Sequence, residues 1–246
     1  MLALRSKLKG IFAISNLAIQ QYEKAGMPRD MLYPFGYFVP SVPFEGSEEP
    51  IPVPEFDDDI HHLKVAFVGN FIERKGLSTL IAAVRCAIGQ GSNIELNIYG
   101  SGDPSAFDID SDRIFYAGRI PFGSTQKYLL GYDLLVLPSY YDGWGVVVNE
   151  ALCSGVPVLC SDQVGARVLV ESFNAGLVFT CGDDEALASL LVSLSSEPSR
   201  LQEMKSGCAS ASEAIQPEKA ARYMLQVFSK SASCNSLSSP WYRFEL

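Results

Sequence analysis

The run Pro138-Ser139-Tyr140-Tyr141-Asp142-Gly143-Trp144-Gly145-Val146-Val147-Val148-Asn149-Glu150 holds the residue types and spacings best suited to chemistry. An apolar segment stops at Pro138, two glycines follow in a short loop, and a helical pattern begins near Gly145. Glycines in such a loop let the backbone approach a ligand where a Cβ would collide. The first turn of the helix then offers free N–H groups and the positive end of its dipole, which together suit a diphosphate. Two acids frame the run, Asp142 and Glu150, with seven residues between them. Glu150 falls in the second helical turn, where its carboxylate could accept hydrogen bonds from a vicinal diol such as a ribose. The plainer reading is a charge that favours the helix N-terminus by ~0.3–1 kcal/mol, and taken alone it is the stronger one.

The elements that must position this loop follow from the surrounding pattern. From Leu63 onward short apolar runs alternate with helical patterns, which predicts an α/β fold, a Rossmann-like doubly wound parallel sheet. Strands are expected at Lys64–Gly69, Ile94–Tyr99, Ile114–Ala117, Asp133–Leu137, Val156–Cys160 and Gly176–Phe179. Helices are expected at Lys75–Ile88, around Thr125–Leu130, from Gly145, and at Asp184–Leu194, Glu197–Ser212 and Pro217–Ser229. Open sheets of this kind bind ligands at the carboxyl ends of their strands, which is where Pro138 places the loop. Upstream, a strand ending at Ser15 leads into a helix that Ser15 caps, running toward Gly26-Met27-Pro28. Residues 34–63 break the pattern with six prolines and the acids Glu45, Glu48, Glu49, Glu55, Asp57, Asp58 and Asp59. That composition reads as a linker. The domains expected are therefore 1–33, a final βα unit of an N-terminal domain; 34–63, an acidic linker; 64–214, the ligand-binding domain; and 215–246, a helix and an aromatic tail that docks on the domain surface.

Composition narrows the function classes. The 246 residues give about 1.6 domains at a nominal ~150 per domain. A net charge of −9 excludes a global basic field for nucleic acid or an anionic membrane, while leaving room for a local phosphate site. No apolar stretch approaches the ~20 residues of a membrane span, and polar residues interrupt the run after Arg5, Lys7 and Lys9 too early for a signal peptide. A cytoplasmic chain is expected. The six cysteines form no CxxC pair and read as reduced structural thiols.

The run from Asp133 to Cys160 resembles the donor-binding half of retaining family-4 (group 1) glycosyltransferases, which have the two-domain GT-B fold. The shared pattern is a strand, Pro-Ser, an acid, Gly-aromatic-Gly, a second acid, then Ala-x-x-x-Gly-x-Pro-Val, here Ala151 to Val158. Phe67-Val68-Gly69, Arg74-Lys75-Gly76, Ile98-Tyr99-Gly100-Ser101-Gly102 and Tyr116-Ala117-Gly118 follow the family's order. The resemblance covers roughly residues 64–195, with a weaker match at 10–38. It implies the GT-B C-terminal domain preceded by a remnant of the N-terminal one. It further implies retaining, hexosyl-type transfer from a nucleoside-diphosphate sugar to an acceptor, with no metal or other cofactor. Lys75 and Arg74 would lie against the diphosphate, and the backbone around Gly118-Arg119-Ile120 would hold the base. Gly143, Trp144, Gly145 and the Val146 amide would cradle the phosphates and sugar. Asp142 would reach the sugar hydroxyls, with Lys75 the second catalytic residue, and Glu150 would take the ribose.

Three departures qualify that likeness. The first acid is usually Glu, and Asp142 is one methylene shorter. Asn70 stands where the family often has Arg and cannot neutralise phosphate. Only the last βα unit of an acceptor domain is expected, and neither His61 nor His62 matches the family's histidine. A donor domain of this kind implies a separate acceptor-binding chain or self-association. The alternative is a non-catalytic nucleotide-sugar-binding module or a subunit of a split glycosyltransferase. Other motifs carry less. Asp57-Asp58-Asp59 with His61-His62 reads as solvated linker, and Gly100-Ser101-Gly102 lacks the third glycine of a dinucleotide fingerprint. Ser139 has no G-x-S-x-G elbow, and Asp108, Asp110 and Asp112 lack the distal Glu of a calcium loop.

Overall fold

A computed structural model describes residues 8–41, 62–107, 109, 112–229 and 239–242. Asp57 to His61, Asp108, Asp110 and Cys234 lie outside the described residues. The main layer is a six-stranded parallel sheet made of β3 (Leu63–Val68), β4 (Ile94–Tyr99), β5 (Ile114–Gly118), β6 (Leu134–Leu137), β7 (Val158–Ser161) and β8 (Gly176–Phe179), in the order β5-β4-β3-β6-β7-β8. β4, β6 and β7 are buried along their whole length; β6 is apolar throughout, whereas β4 carries the buried Glu95 and Asn97, with Asn97 Nδ2 donating to Glu95 Oε1. On one face α2 (Leu77–Gly89) and α6 (Asp184–Ser196) close a core through Leu80, Val84, Leu187 and Leu191 against Val65, Leu96 and Ile98. On the other, α3 (Thr125–Leu129), α4 (Val146–Cys153), α5 (Arg167–Phe173) and α7 (Pro198–Ala214) cover Ala66, Leu135, Leu137 and Cys160. The expected α/β parallel sheet is present.

The order reverses at β3, whose neighbours are β4 on one side and β6 on the other. The loops leaving β3 and β6 therefore lie at the switch point of the sheet, where open α/β folds have their ligand crevice, and they are tied to each other there by Tyr140 N–H on Arg74 O at 2.9 Å.

A second, two-stranded sheet precedes it. β1 (Ile11–Ile14), α1 (Ser15–Lys24) and β2 (Leu32–Phe35) form a parallel unit with Ile11 opposite Leu32 and Ile14 opposite Phe35. β2 thus carries Pro34 and ends at Phe35. Proline is tolerated there because the strand pairs on one side within a two-stranded sheet. Helix α8 (Pro217–Ser229) returns to this unit, with the Phe12 ring against Tyr223 and Phe228. Within the described residues 239–242, Trp241 is fully buried among Phe35, Phe38 and Tyr223.

Three further details differ from the sequence reading. Gly76 sits in the left-handed region (φ 68°), so Glu73–Lys75 form a one-turn helix and α2 begins at Leu77 rather than Lys75. Ser15 opens α1 with φ 77° instead of preceding it, and its hydroxyl accepts from the Ala18 N–H at 3.4 Å. Val156 and Pro157 precede β7, because Val156 N–H bonds Ala151 O in the turn that ends α4.

Candidate functional site

At the carboxyl ends of β3 and β6 the chain brings Lys75 and Asp142 together beside the head of α4. Gly145 sits at the head of α4 with φ 91°, a conformation that L side chains rarely adopt, and an added Cβ would meet Leu137 at 2.9 Å. It turns the chain so that the N–H groups of Val146 and Val147 point out of the helix without an intrahelical acceptor. The Val148 N–H already bonds Gly145 O at 2.9 Å.

Asp142 is fixed by its own backbone. Its N–H bonds Gln163 O at 3.0 Å and its carbonyl accepts from Gly165 N–H at 2.9 Å, an isolated parallel bridge to Val164 beyond β7. Its side chain reaches two partners: Oδ2 stands 2.6 Å from Lys75 Nζ, and Oδ1 stands 3.4 Å from the Trp144 N–H. Lys75 is brought there by the one-turn helix Glu73–Lys75, which the loop holds twice. Tyr140 N–H bonds Arg74 O at 2.9 Å, and Arg74 Nη1 donates to Tyr141 O at 2.9 Å. Lys75 and Asp142 thus meet across the crevice, whereas the exposed Arg74 is engaged with the loop backbone.

Glu150 lies one helical turn on, and its carboxylate accepts from the Thr125 side chain at the head of α3. That places it beside the loop carrying Ile120, which is packed partly buried against the core. Burial holds the Glu150 carboxyl above the usual carboxylate range, and the Thr125 hydrogen bond opposes the shift. An acid whose folded-state pKa is raised binds more protons folded than unfolded between the two pKa values, so stability falls as pH rises through that window. Glu150→Gln is therefore expected to melt higher than the parent at pH 7, with the gap closing as pH falls below the ordinary carboxylate pKa. Melting curves from pH 4 to 8 check this; a mutant that is less stable at pH 7 would show that the carboxylate contributes to the fold.

The Trp144 side chain belongs to the core. Its ring is buried, 2 % exposed, and an added Cβ on Gly36 would lie 2.4 Å from it. Its Nε1 donates to Asn149 Oδ1 at 2.7 Å, while Asn149 Nδ2 donates to Tyr37 O at 2.9 Å. The Trp144 carbonyl accepts from Ala166 N–H at 2.7 Å. The aromatic ring is thus turned away from the crevice, because an indole with one N–H is better placed in a core that supplies an acceptor. Asn149, Gly36 and Gly165 are packing neighbours of the loop that the sequence does not single out. The one signal is Asn149 itself, a polar residue directly after three valines.

Ser15 also reaches the loop. An added Cβ on Gly165 would lie 2.7 Å from the Ser15 Cβ and 2.2 Å from Gly143 O, so the start of α1 lies across the far side of the loop. The described cysteines are free thiols; burial pushes Cys208 up to about 12 and Cys160 higher still. Among the described residues no group of three or more His, Cys, Asp or Glu could hold a metal, and no helix is long and apolar enough to cross a membrane.

A family profile described as glycosyl transferases group 1 matches residues 62–197. The amylovoran biosynthesis glycosyltransferase AmsK of Erwinia amylovora is 33 % identical over 152 residues, 56 % of this chain and 37 % of that protein. The chain thus spans less than half the length of this curated relative. Among solved structures, Anabaena HepE in complex with UDP and glucose matches with TM-score 0.69 at 16 % identity, over 91 % of this chain and 63 % of that one. Sucrose-phosphate synthase from Thermosynechococcus elongatus matches with TM-score 0.67 at 22 % identity, over 93 % and 60 %. At these identities the structures speak for the GT-B fold alone.

Proposed function

The chain belongs to the glycosyl transferases group 1 family, and we propose that its crevice is the donor site of a retaining transfer from a nucleoside-diphosphate sugar. The observation that carries this reading is the meeting of Lys75 Nζ and Asp142 Oδ2 at 2.6 Å before the amino end of α4. One cation, one helix N-terminus and one acid converge there. Lys75 and the Val146 amide take the diphosphate and stabilise the charge that develops as it leaves, the role of preorganised donors in a water-poor site. No metal is needed for that step when a cation and backbone amides supply it. Gly143 and Gly145 let the backbone come close, and Arg74 braces the loop through Tyr141 O. Asp142 turns to the sugar hydroxyls, Glu150 to the ribose, and the backbone at Ile120 to the base.

HepE, which shares the fold at 16 % identity, is solved in complex with UDP-glucose, and a nucleotide sugar is the ligand class proposed on that likeness. Isothermal titration with UDP-, GDP- and ADP-sugars tests the reading: one of them binds, and a protein that binds none overturns it. The ribose assignment makes a second expectation. Glu150→Gln removes an ionised acceptor and weakens ribonucleotide binding by about 1.5–3 kcal/mol, the scale of a hydrogen bond to a charged group, with a smaller loss for 2′- or 3′-deoxy analogues. Equal losses for ribo- and deoxy-analogues would return Glu150 to a helix-end charge.

A further inference from the structure

Lys75 has two claimants. The diphosphate needs its ammonium, and Asp142 holds it at 2.6 Å. Both side chains are mostly shielded, 17 % and 14 % exposed, so the pair is weakly screened. Neither partner reaches its position by accident. Asp142 is held by backbone hydrogen bonds to Gln163 and Gly165, and the Lys75 turn is tied to the same loop through Tyr140 N–H and Arg74 O. Arg74, the adjacent cation, spends Nη1 on Tyr141 O and does not share the Asp142 carboxylate in this geometry.

From this we infer that the Lys75–Asp142 pair makes the donor site discriminate the nucleotide sugar from the nucleoside diphosphate that remains after transfer. The inference rests on the donor-site reading above. A bound diphosphate draws Lys75 away and leaves the Asp142 carboxylate facing phosphate oxygens without its cation. A nucleotide sugar compensates that loss, because its hydroxyls donate to the freed carboxylate. A bare diphosphate has no hydroxyl there and leaves the carboxylate uncompensated. The site therefore favours substrate over product, and the product leaves as Asp142 recaptures Lys75.

A double-mutant cycle tests this, with UDP and UDP-glucose, GDP and GDP-mannose, and ADP and ADP-glucose titrated in parallel into the parent chain, Asp142→Asn, Lys75→Met and the double variant. Asp142→Asn is expected to tighten binding of the bare diphosphate about fivefold or more and that of the nucleotide sugar by less, since the pair's coupling is what it removes. In the Lys75→Met background the same change should alter diphosphate affinity by less than about twofold. Asp142→Ala repeats the cycle, and melting curves identify any variant that has lost its fold. Diphosphate affinity unchanged by Asp142→Asn overturns the inference. So does a gain that persists undiminished without Lys75, since that would be repulsion through space. A parent chain that binds none of the six ligands overturns the donor-site reading and this inference with it, whereas binding without coupling overturns this inference alone.

Discussion

Trp144→Ala lowers the unfolding free energy by about 3–5 kcal/mol, the cost of emptying a buried aromatic site. The ring is enclosed, in contact with the Gly36 backbone, and hydrogen-bonded through Nε1 to Asn149 at 2.7 Å. The fully buried Asn149 amide in turn holds Tyr37 O, so the indole ties the loop at 142–145 to the segment leaving β2. Trp144→Phe separates packing from polarity. It keeps most of the ring volume and leaves the Asn149 Oδ1 without its donor, a loss of about 1–3 kcal/mol. Urea denaturation of the two variants, with donor titration alongside, measures both effects. The alanine variant is expected to bind nucleotide more weakly than the phenylalanine one, because Gly143 and Gly145 flank the emptied site. A loss below about 1.5 kcal/mol for Trp144→Ala would show that the ring contributes little packing.

The same tryptophan shows where sequence reading reaches its limit. The spacing of Asp142, Gly143, Gly145 and Glu150 is local, and local geometry follows from turn and helix chemistry, so the loop and its helix stand where the pattern places them. The direction of the Trp144 ring depends on Gly36, more than a hundred positions away in the chain, and no local pattern carries that information. Lys75 and Asp142 are 67 positions apart, and their pairing depends on β3 and β6 lying side by side. Strand order of that kind comes from packing two helical layers, whereas periodicity shows only that the strands are parallel and buried. The elements missed have physical reasons too. β2 contains Pro34 and follows a one-turn helix, so its four residues resemble a turn. Helix α5, Arg-Val-Leu-Val-Glu-Ser-Phe, is buried at five of seven positions and so shows no polar face with a helical period. The unit β1–α1–β2 was legible as strand and helix, but its contact with the donor loop through Ser15 and Gly165 was not.

Lys75→Ala is expected to weaken nucleoside-diphosphate binding by about 1.5–3 kcal/mol, the scale of a lost hydrogen bond to a charged group. The effect should fall at the lower end of that range, because the parent must break the Lys75–Asp142 pair at 2.6 Å on binding, a cost that the variant does not carry. Lysine at this position acts as a point charge on a flexible stem, so Lys75→Arg should restore part of the affinity if charge is what matters. Salt supplies an independent check. The pair is shielded, so the parent's affinity should depend only moderately on ionic strength, and the alanine variant's less still. Titration at two salt concentrations with the parent, Lys75→Ala and Lys75→Arg gives all three comparisons in one series. An alanine variant that binds every tested nucleotide as tightly as the parent would remove Lys75 from the diphosphate. The Val146 and Val147 amides and the α4 dipole would then have to hold the phosphates alone, and Lys75 would serve only to fix Asp142.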